Sequence, residues 1–74
     1  MIVNNKSTKS YKLGRNIYKY RKSTGINQND FAEKLDISRE HLAKIETGKR
    51  NLSLTLLFRI AEKLNIPEKD LFDF

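Results

Sequence analysis

Two short helical patterns separated by a single turn, in residues 27–47, constrain this 74-residue chain more than any other feature. The first pattern opens with Asn27, a residue that suits a helix N-cap. Its narrow apolar stripe consists of Phe31, Ala32 and Leu35. The pattern predicts a helix of about two turns that packs through this stripe.

The second pattern is capped by Ser38, faces inward through Leu42 and Ile45, and ends at Gly48. Between the two patterns lies Asp36. A residue in so tight a turn usually has a positive φ angle, which costs least for glycine and is tolerated by asparagine and aspartate. The spacing therefore predicts two helices crossing around one turn, an arrangement that can place a helix in the major groove of duplex DNA.

Three further helices are expected around this pair. The first begins near Tyr11 and ends at Gly25, a favourable left-handed cap. The fourth begins after Ser53 and carries the stripe Leu57, Ile60, Ala61 and Leu64. A short fifth helix has Pro67 in its first turn and ends at Leu71 or Phe72. The predicted fold class is all-α: a compact five-helix domain over residues 11–74, without strands, preceded by a flexible basic arm at residues 1–10.

Composition limits what such a domain can do. A chain of this length forms one domain, and zero cysteines exclude disulfides and zinc sites built on thiolates. No apolar run approaches the ~20 residues that would span a membrane, and the first residues lack a secretory signal. We expect a cytoplasmic protein without a membrane partner.

The positive charge is concentrated in the first third of the chain. The net charge is +6; residues 1–25 hold seven cations and no acid, whereas residues 26–74 hold eight cations and nine acids, a net of −1. A solubilising segment would explain this excess, but a polyanionic partner explains it more directly.

Residues 13–72 resemble the XRE-type (lambda-repressor-like, Cro/C1-type) helix-turn-helix domain of bacterial and phage regulators. The matching segments are Leu13-Gly14 with Ile17 and Arg21, Ile26 to Ala32, Ile45 to Arg50, Ala61 to Ile66, and Leu71-Phe72. The departures are Asp36 and Asn65 where the family favours glycine, and Leu52 where proline is common. Small members of the family include phage-type repressors, restriction-modification controller proteins and plasmid regulators.

The resemblance implies that the first turns of the third helix enter the major groove, with Arg39, Glu40, Ala43 and Lys44 toward the bases. Arginine and lysine can donate to guanine, glutamate can accept from cytosine N4, and an alanine methyl can meet a thymine methyl. Glu40 and Lys44 lie four residues apart, so an ordinary ion pair between them is the alternative.

Contacts to the sugar-phosphate backbone are expected at three places around the third helix. The residues concerned are Asn27 and Gln28 at the start of the second helix, His41 on the flank of the third, and Lys49, Arg50 and Asn51 after it. His41 alone has no obvious partner for catalysis or metal binding, so plain exposure is its alternative. The resemblance also implies a structural ion pair between Arg21 and Glu46.

Four large apolar residues exceed what a small core needs: Leu54, Phe58, Phe72 and Phe74. They suggest a homodimer formed through helices 4 and 5, which would read an inverted-repeat operator in double-stranded DNA with half-sites ~34 Å apart. The alternative is that these residues complete the core.

Other functions fit the sequence less well. The main alternative is a protein-interaction module of the same fold, antitoxin-like or binding an anti-repressor. RNA binding is disfavoured because A-form major grooves are too narrow for a helix. An enzyme is least expected, because the chain has one histidine, no Ser-His-carboxylate spacing and no glycine-rich phosphate loop. No cofactor, metal or small-molecule ligand is expected.

Overall fold

The computed structural model describes residues 8–74, in which five α-helices and no strands are present. The helices are α1 (Lys9–Thr24), α2 (Gln28–Leu35), α3 (Arg39–Glu46), α4 (Leu54–Leu64) and α5 (Glu68–Leu71). The all-α, five-helix prediction is therefore confirmed. Within the described range, no helix has the length and apolar character needed to cross a bilayer.

The predicted N-caps of the three central helices are confirmed. The side chains of Asn27, Ser38 and Ser53 each accept a hydrogen bond from the backbone N–H three residues further on, at 2.7, 3.0 and 3.1 Å. Each bond satisfies one of the N–H groups that a helix start leaves without an intrahelical partner. Pro67 differs slightly from prediction, since it is the N-cap of α5 and not part of its first turn.

The start of α1 differs from the sequence prediction. Thr8 is its N-cap and accepts a hydrogen bond from the Tyr11 backbone N–H at 3.1 Å. The helix therefore begins two residues before Tyr11, and Ser10 belongs to it and not to an arm. The remainder of the predicted arm, residues 1–7, lies outside the described residues.

Left-handed residues end three of the helices. Asp36 after α2 has φ 61°, as the sequence predicted for this turn. Gly25 after α1 has φ 81°, and Asn65 after α4 has φ 60°. The two non-glycine positions adopt a conformation that favours glycine, which explains why the family prefers glycine there.

One core joins the five helices. It is formed by Ile17, Phe31, Ala32, Leu35, Leu42, Ile45, Leu56, Leu57, Ile60, Ala61, Leu64 and Leu71. Ile37, in the turn between α2 and α3, is half-buried and packs against this core. The turn is thus held from inside, which fixes α3 relative to α2.

Gly14 permits the close approach of α1 to α3. A Cβ added at this position would lie inside van der Waals contact with the Ile45 carbonyl oxygen and 3.0 Å from the Glu46 carbonyl carbon and oxygen. Because these neighbours are backbone atoms, they cannot move aside without separating the helices. Glycine is therefore required here by space and not by a special backbone angle.

The four large apolar residues at α4 and the C-terminus do not complete the core. The exposed fractions are 68% for Leu54, 52% for Phe58, 48% for Phe72 and 51% for Phe74. The alternative that they finish the core is therefore wrong. They are the exposed large apolar side chains of the described residues, and we refer to this set of four as the α4–α5 face.

Candidate nucleic-acid interface

The outer face of α3 carries polar side chains that are open to solvent. Arg39, Glu40 and Lys44 are exposed and Ala43 is half-buried, whereas Leu42, Ile45 and Glu46 face the core. The alternative for Glu40 and Lys44, an ion pair between them, is not formed: in residues 8–74 the single side-chain ion pair joins two other residues. The outward side chains keep their hydrogen-bonding groups available for a partner.

A buried ion pair lies behind this face, where α1, α2 and α3 meet. The Arg21 guanidinium donates from Nε to Glu46 Oε2 at 2.7 Å and from Nη2 to Glu46 Oε1 at 3.1 Å. Its Nη1 donates to the Ile26 carbonyl at 3.0 Å. Arg21 is 5% exposed and Glu46 2%, so the pair is shielded from water and salt. The two residues that the resemblance implied as an ion pair thus form a two-pronged one.

Gln28 joins the same network and thereby links the start of α2 to the end of α3. Its Nε2 donates to Glu46 Oε1 at 2.9 Å, using one of the two amide N–H groups. Sequence reasoning placed Gln28 at a phosphate and did not foresee this bond. The side chain can serve both, because the bond to Glu46 orients the amide and leaves its second N–H free of that carboxylate.

The N-terminus of α2 offers donors toward solvent. The Asn27 side chain accepts the N–H of Asp30, and its carbonyl accepts the N–H of Phe31, the first intrahelical bond of α2. The N–H groups of Gln28 and Asn29 have no protein acceptor among the described residues. Together with the helix dipole, they make this end of α2 suitable for an anion.

The loop after α3 is fixed against the first turn of α1. Ser10 Oγ donates to Asn51 Oδ1 at 3.2 Å. Gly48, with φ 76°, lies so close to α1 that an added Cβ would be 2.6 Å from the Tyr11 Cα. Lys49 and Arg50 are exposed on this loop. The end of α3 therefore has Lys49, Arg50 and the start of α2 near it, whereas Arg39 and Glu40 lie at its start.

His41 is half-buried on α3, and its backbone N–H donates to the Ser38 side chain. In the described residues, no three acidic or histidine side chains gather in a group that could hold a metal ion. The contact of His41 with the DNA backbone stays a prediction.

A cluster on α1 was missed by the sequence analysis. The Arg15 guanidinium lies 4.2 Å from the centre of the Tyr18 ring, the Arg21 guanidinium 5.3 Å and the Lys22 ammonium 6.0 Å. Such cations are attracted to the face of the ring and are held near it. The sequence did hold a signal for this cluster: Arg15 lies three residues before Tyr18, and Lys22 lies four residues after it, which places all three on one face of a helix. Because Arg21 belongs to both groups, the cluster adjoins the network at the start of α2.

Comparisons with known proteins agree with this geometry. A family model described as helix-turn-helix matches residues 17–71. The control protein C.MunI of a Mycoplasma species is 39% identical over 62 residues, which cover 82% of this chain and 84% of that protein. An uncharacterised HTH-type transcriptional regulator of Archaeoglobus fulgidus is 38% identical over 58 residues, covering 78% and 83%.

A solved structure extends the likeness to three dimensions. The restriction-modification controller protein C.AhdI of Aeromonas hydrophila matches with a TM-score of 0.80 at 29% identity, covering 84% of this chain and 90% of that chain. The chain therefore belongs to the XRE-type helix-turn-helix family. These relatives are named as control or controller proteins and as an HTH-type transcriptional regulator.

Proposed function

We propose that this protein binds double-stranded DNA sequence-specifically, as a homodimeric transcriptional regulator on an inverted-repeat operator. The observation that carries this proposal is the outer face of α3, where Arg39, Glu40 and Lys44 are exposed and unpaired with one another. Backbone donors and cations flank this face. Base edges in a major groove are the partner that such a surface fits.

Individual roles follow from position on α3. Arg39 and Lys44 donate to guanine, Glu40 accepts from a cytosine amino group, and the half-buried Ala43 lies against a thymine methyl group. These contacts discriminate between bases, and a good two-bond contact contributes ~1–3 kcal/mol of discrimination.

Affinity without sequence preference comes from the flanks. The N–H groups at the start of α2 hold one phosphate, with Asn27 and Gln28 beside it, and Lys49, Arg50 and Asn51 hold the backbone on the other side of α3. His41 adds a contact on the flank of α3. Each neutralised phosphate contributes about 0.9 to the slope of log affinity against log salt concentration.

The α4–α5 face supplies the dimer contact. Its four side chains are 48–68% exposed in the single chain, and burying large apolar groups of this kind is the main driving force of association. An eight-residue recognition helix reads few base pairs, so two copies related by a two-fold axis read a longer site. The likeness to C.MunI and C.AhdI favours a controller role among the family's regulators.

Selection from randomised duplex DNA tests the DNA-binding part. The natural chain is compared with Arg39→Ala and with Lys63→Ala, a control that removes one exposed cation from α4. We expect an inverted repeat from the natural chain and the control, and loss of information at one symmetric position with Arg39→Ala. Binding that shows no enriched sequence and disappears as salt rises would contradict the proposal and direct attention to a protein partner.

Sedimentation equilibrium tests the dimer separately. Phe58→Glu places a charge on the α4–α5 face, and its control Lys63→Glu places one elsewhere on α4. We expect the natural chain and the control to sediment as dimers at concentrations where Phe58→Glu is a monomer. A natural chain that stays monomeric at high concentration, with and without DNA, contradicts the homodimer.

A further inference from the structure

The dimerising helix α4 has a single polar connection to the helix-turn-helix unit. Arg59 Nη1 donates to the Leu35 carbonyl at the end of α2, at 2.9 Å. Within residues 8–74 this is the one side-chain hydrogen bond from α4 to another helix. Core residues such as Leu57 and Ile60 pack α4 against the rest of the core.

The connection occupies a position where a cation is favoured. The last carbonyl groups of a helix have no intrahelical partner and lie at the negative end of the helix dipole. At the end of α2, the N–H groups of Asp36 and Ile37 bond the carbonyls of Glu33 and Ala32, and Arg59 bonds that of Leu35. The guanidinium is thus attached to the residue immediately before the turn that leads into α3.

Arg59 also adjoins the surface proposed for dimerisation. It follows Phe58 in α4, and the two side chains line one shallow groove together with Thr55, Glu62 and Glu68. One side of Arg59 therefore meets the α4–α5 face, and its guanidinium reaches the helix-turn-helix unit.

We propose that Arg59 is a positioning residue that fixes the angle between the dimer face and the recognition helix, and so sets the half-site spacing that the dimer accepts. This inference rests on the proposed function. Core packing holds α4 against α2, and the hydrogen bond from Arg59 to the Leu35 carbonyl adds a directional restraint at the end of α2.

The expected sensitivity follows from geometry. Half-sites one helical turn apart place each recognition helix ~17 Å from the two-fold axis, half of ~34 Å. A rotation of roughly 10° at that radius displaces the recognition helix by about 3 Å, close to the ~3.4 Å rise of one base pair. A small loss of angular restraint is therefore enough to admit a spacing that differs by one base pair.

The experiment measures affinity for the inverted repeat selected by the natural chain, for the same repeat with its spacer one base pair longer or shorter, and for a single half-site. Arg59→Met removes the donor while keeping an extended side chain. Lys63→Met removes a cation from the same helix and leaves the Arg59 bond intact. Circular dichroism confirms that each variant is folded at the assay temperature.

We expect Arg59→Met to reduce the preference for the selected spacing about tenfold, the factor that one charge-assisted hydrogen bond can supply, with half-site affinity nearly unchanged. Lys63→Met keeps the spacing preference. Arg59→Lys retains a charged donor, so it keeps part of the spacing preference that Arg59→Met loses. If Arg59→Met fails to fold, Arg59→Lys becomes the deciding variant.

Two results for Arg59→Met overturn the inference while leaving the proposed function intact. One is an unchanged spacing preference. The other is an equal loss of affinity for the half-site and the full site, because an equal loss marks a purely structural role. If the natural chain itself prefers no inverted repeat, the proposed function fails and the inference fails with it. The natural chain's preference for the inverted repeat thus separates the two failures.

Discussion

Replacing Glu46 by alanine tests how the buried ion pair supports the fold. The carboxylate accepts three hydrogen bonds, two from Arg21 at 2.7 and 3.1 Å and one from Gln28 at 2.9 Å. Its removal leaves a guanidinium that is 5% exposed, with the Ile26 carbonyl as its remaining acceptor. Breaking a buried pair by removing one partner costs about 3–5 kcal/mol, because the other charge stays buried without compensation.

That cost is large for so small a domain. At roughly 0.05–0.15 kcal/mol per residue, the whole chain is stable by only about 4–11 kcal/mol. A domain of this size loses roughly 4–8 °C of melting temperature per kcal/mol, so Glu46→Ala is expected to melt more than about 12 °C below the natural chain. Urea unfolding followed by circular dichroism at 222 nm gives the free energy directly.

A double variant distinguishes the proposed cause from a simple loss of packing. Arg21→Met with Glu46→Leu removes both charges and fills the space with apolar atoms, an exchange that is often neutral or stabilising for buried pairs. We expect it to be more stable than Glu46→Ala. The reasoning is refuted if Glu46→Ala costs under about 1 kcal/mol, or if the double variant is the less stable of the two.

Three further predictions concern single positions. Gly14→Ala should lower the melting temperature although alanine favours helices. The clash of the new Cβ with the α3 backbone costs more than the ~1 kcal/mol that alanine gains in helix propensity. An unchanged or higher melting temperature would show that α1 and α3 can separate freely. Asp36→Gly should raise the free energy of unfolding by up to ~1 kcal/mol, because φ is 61° at this position. Its control, Asp36→Ala, should not raise it. Equal urea midpoints for the two variants would contradict this prediction. Lys49→Met should reduce the slope of log affinity against log salt by about 0.9 without altering the selected sequence, which titrations at several salt concentrations would measure; an unchanged slope would place Lys49 away from phosphate.

The sequence predicted the helices well because their boundaries are marked locally. Asn27, Ser38 and Ser53 are cap residues followed directly by amphipathic stripes, and each cap bond spans only three residues. The start of α1 was misplaced because its apolar stripe begins after its cap, so that Thr8 and the next residues read as a polar arm. Local signals thus located the elements, with an error where cap and stripe are separated.

The candidate site was predicted less completely, because contacts between distant elements leave weaker marks in a sequence. Arg39, Glu40 and Lys44 could be placed on an outer face from helical period alone. The bond from Gln28 to Glu46 spans 18 residues, and that from Arg59 to Leu35 spans 24 and ends on a backbone carbonyl. Any residue type offers a carbonyl, so no sequence pattern could have identified the Arg59 contact.

The two ends of α3 are held differently, and this difference has a functional consequence. An eight-residue helix is not stable alone, so its orientation depends on what is attached to it. Gly14 packs at its C-terminal end and Arg21 and Gln28 bond to Glu46 there, whereas Arg39 near its N-terminal end is exposed. Substitutions at the anchored end should therefore change stability, and with it affinity for every DNA sequence alike. Those at the exposed end should change which sequence is preferred while leaving the fold intact, because nothing in the core depends on them.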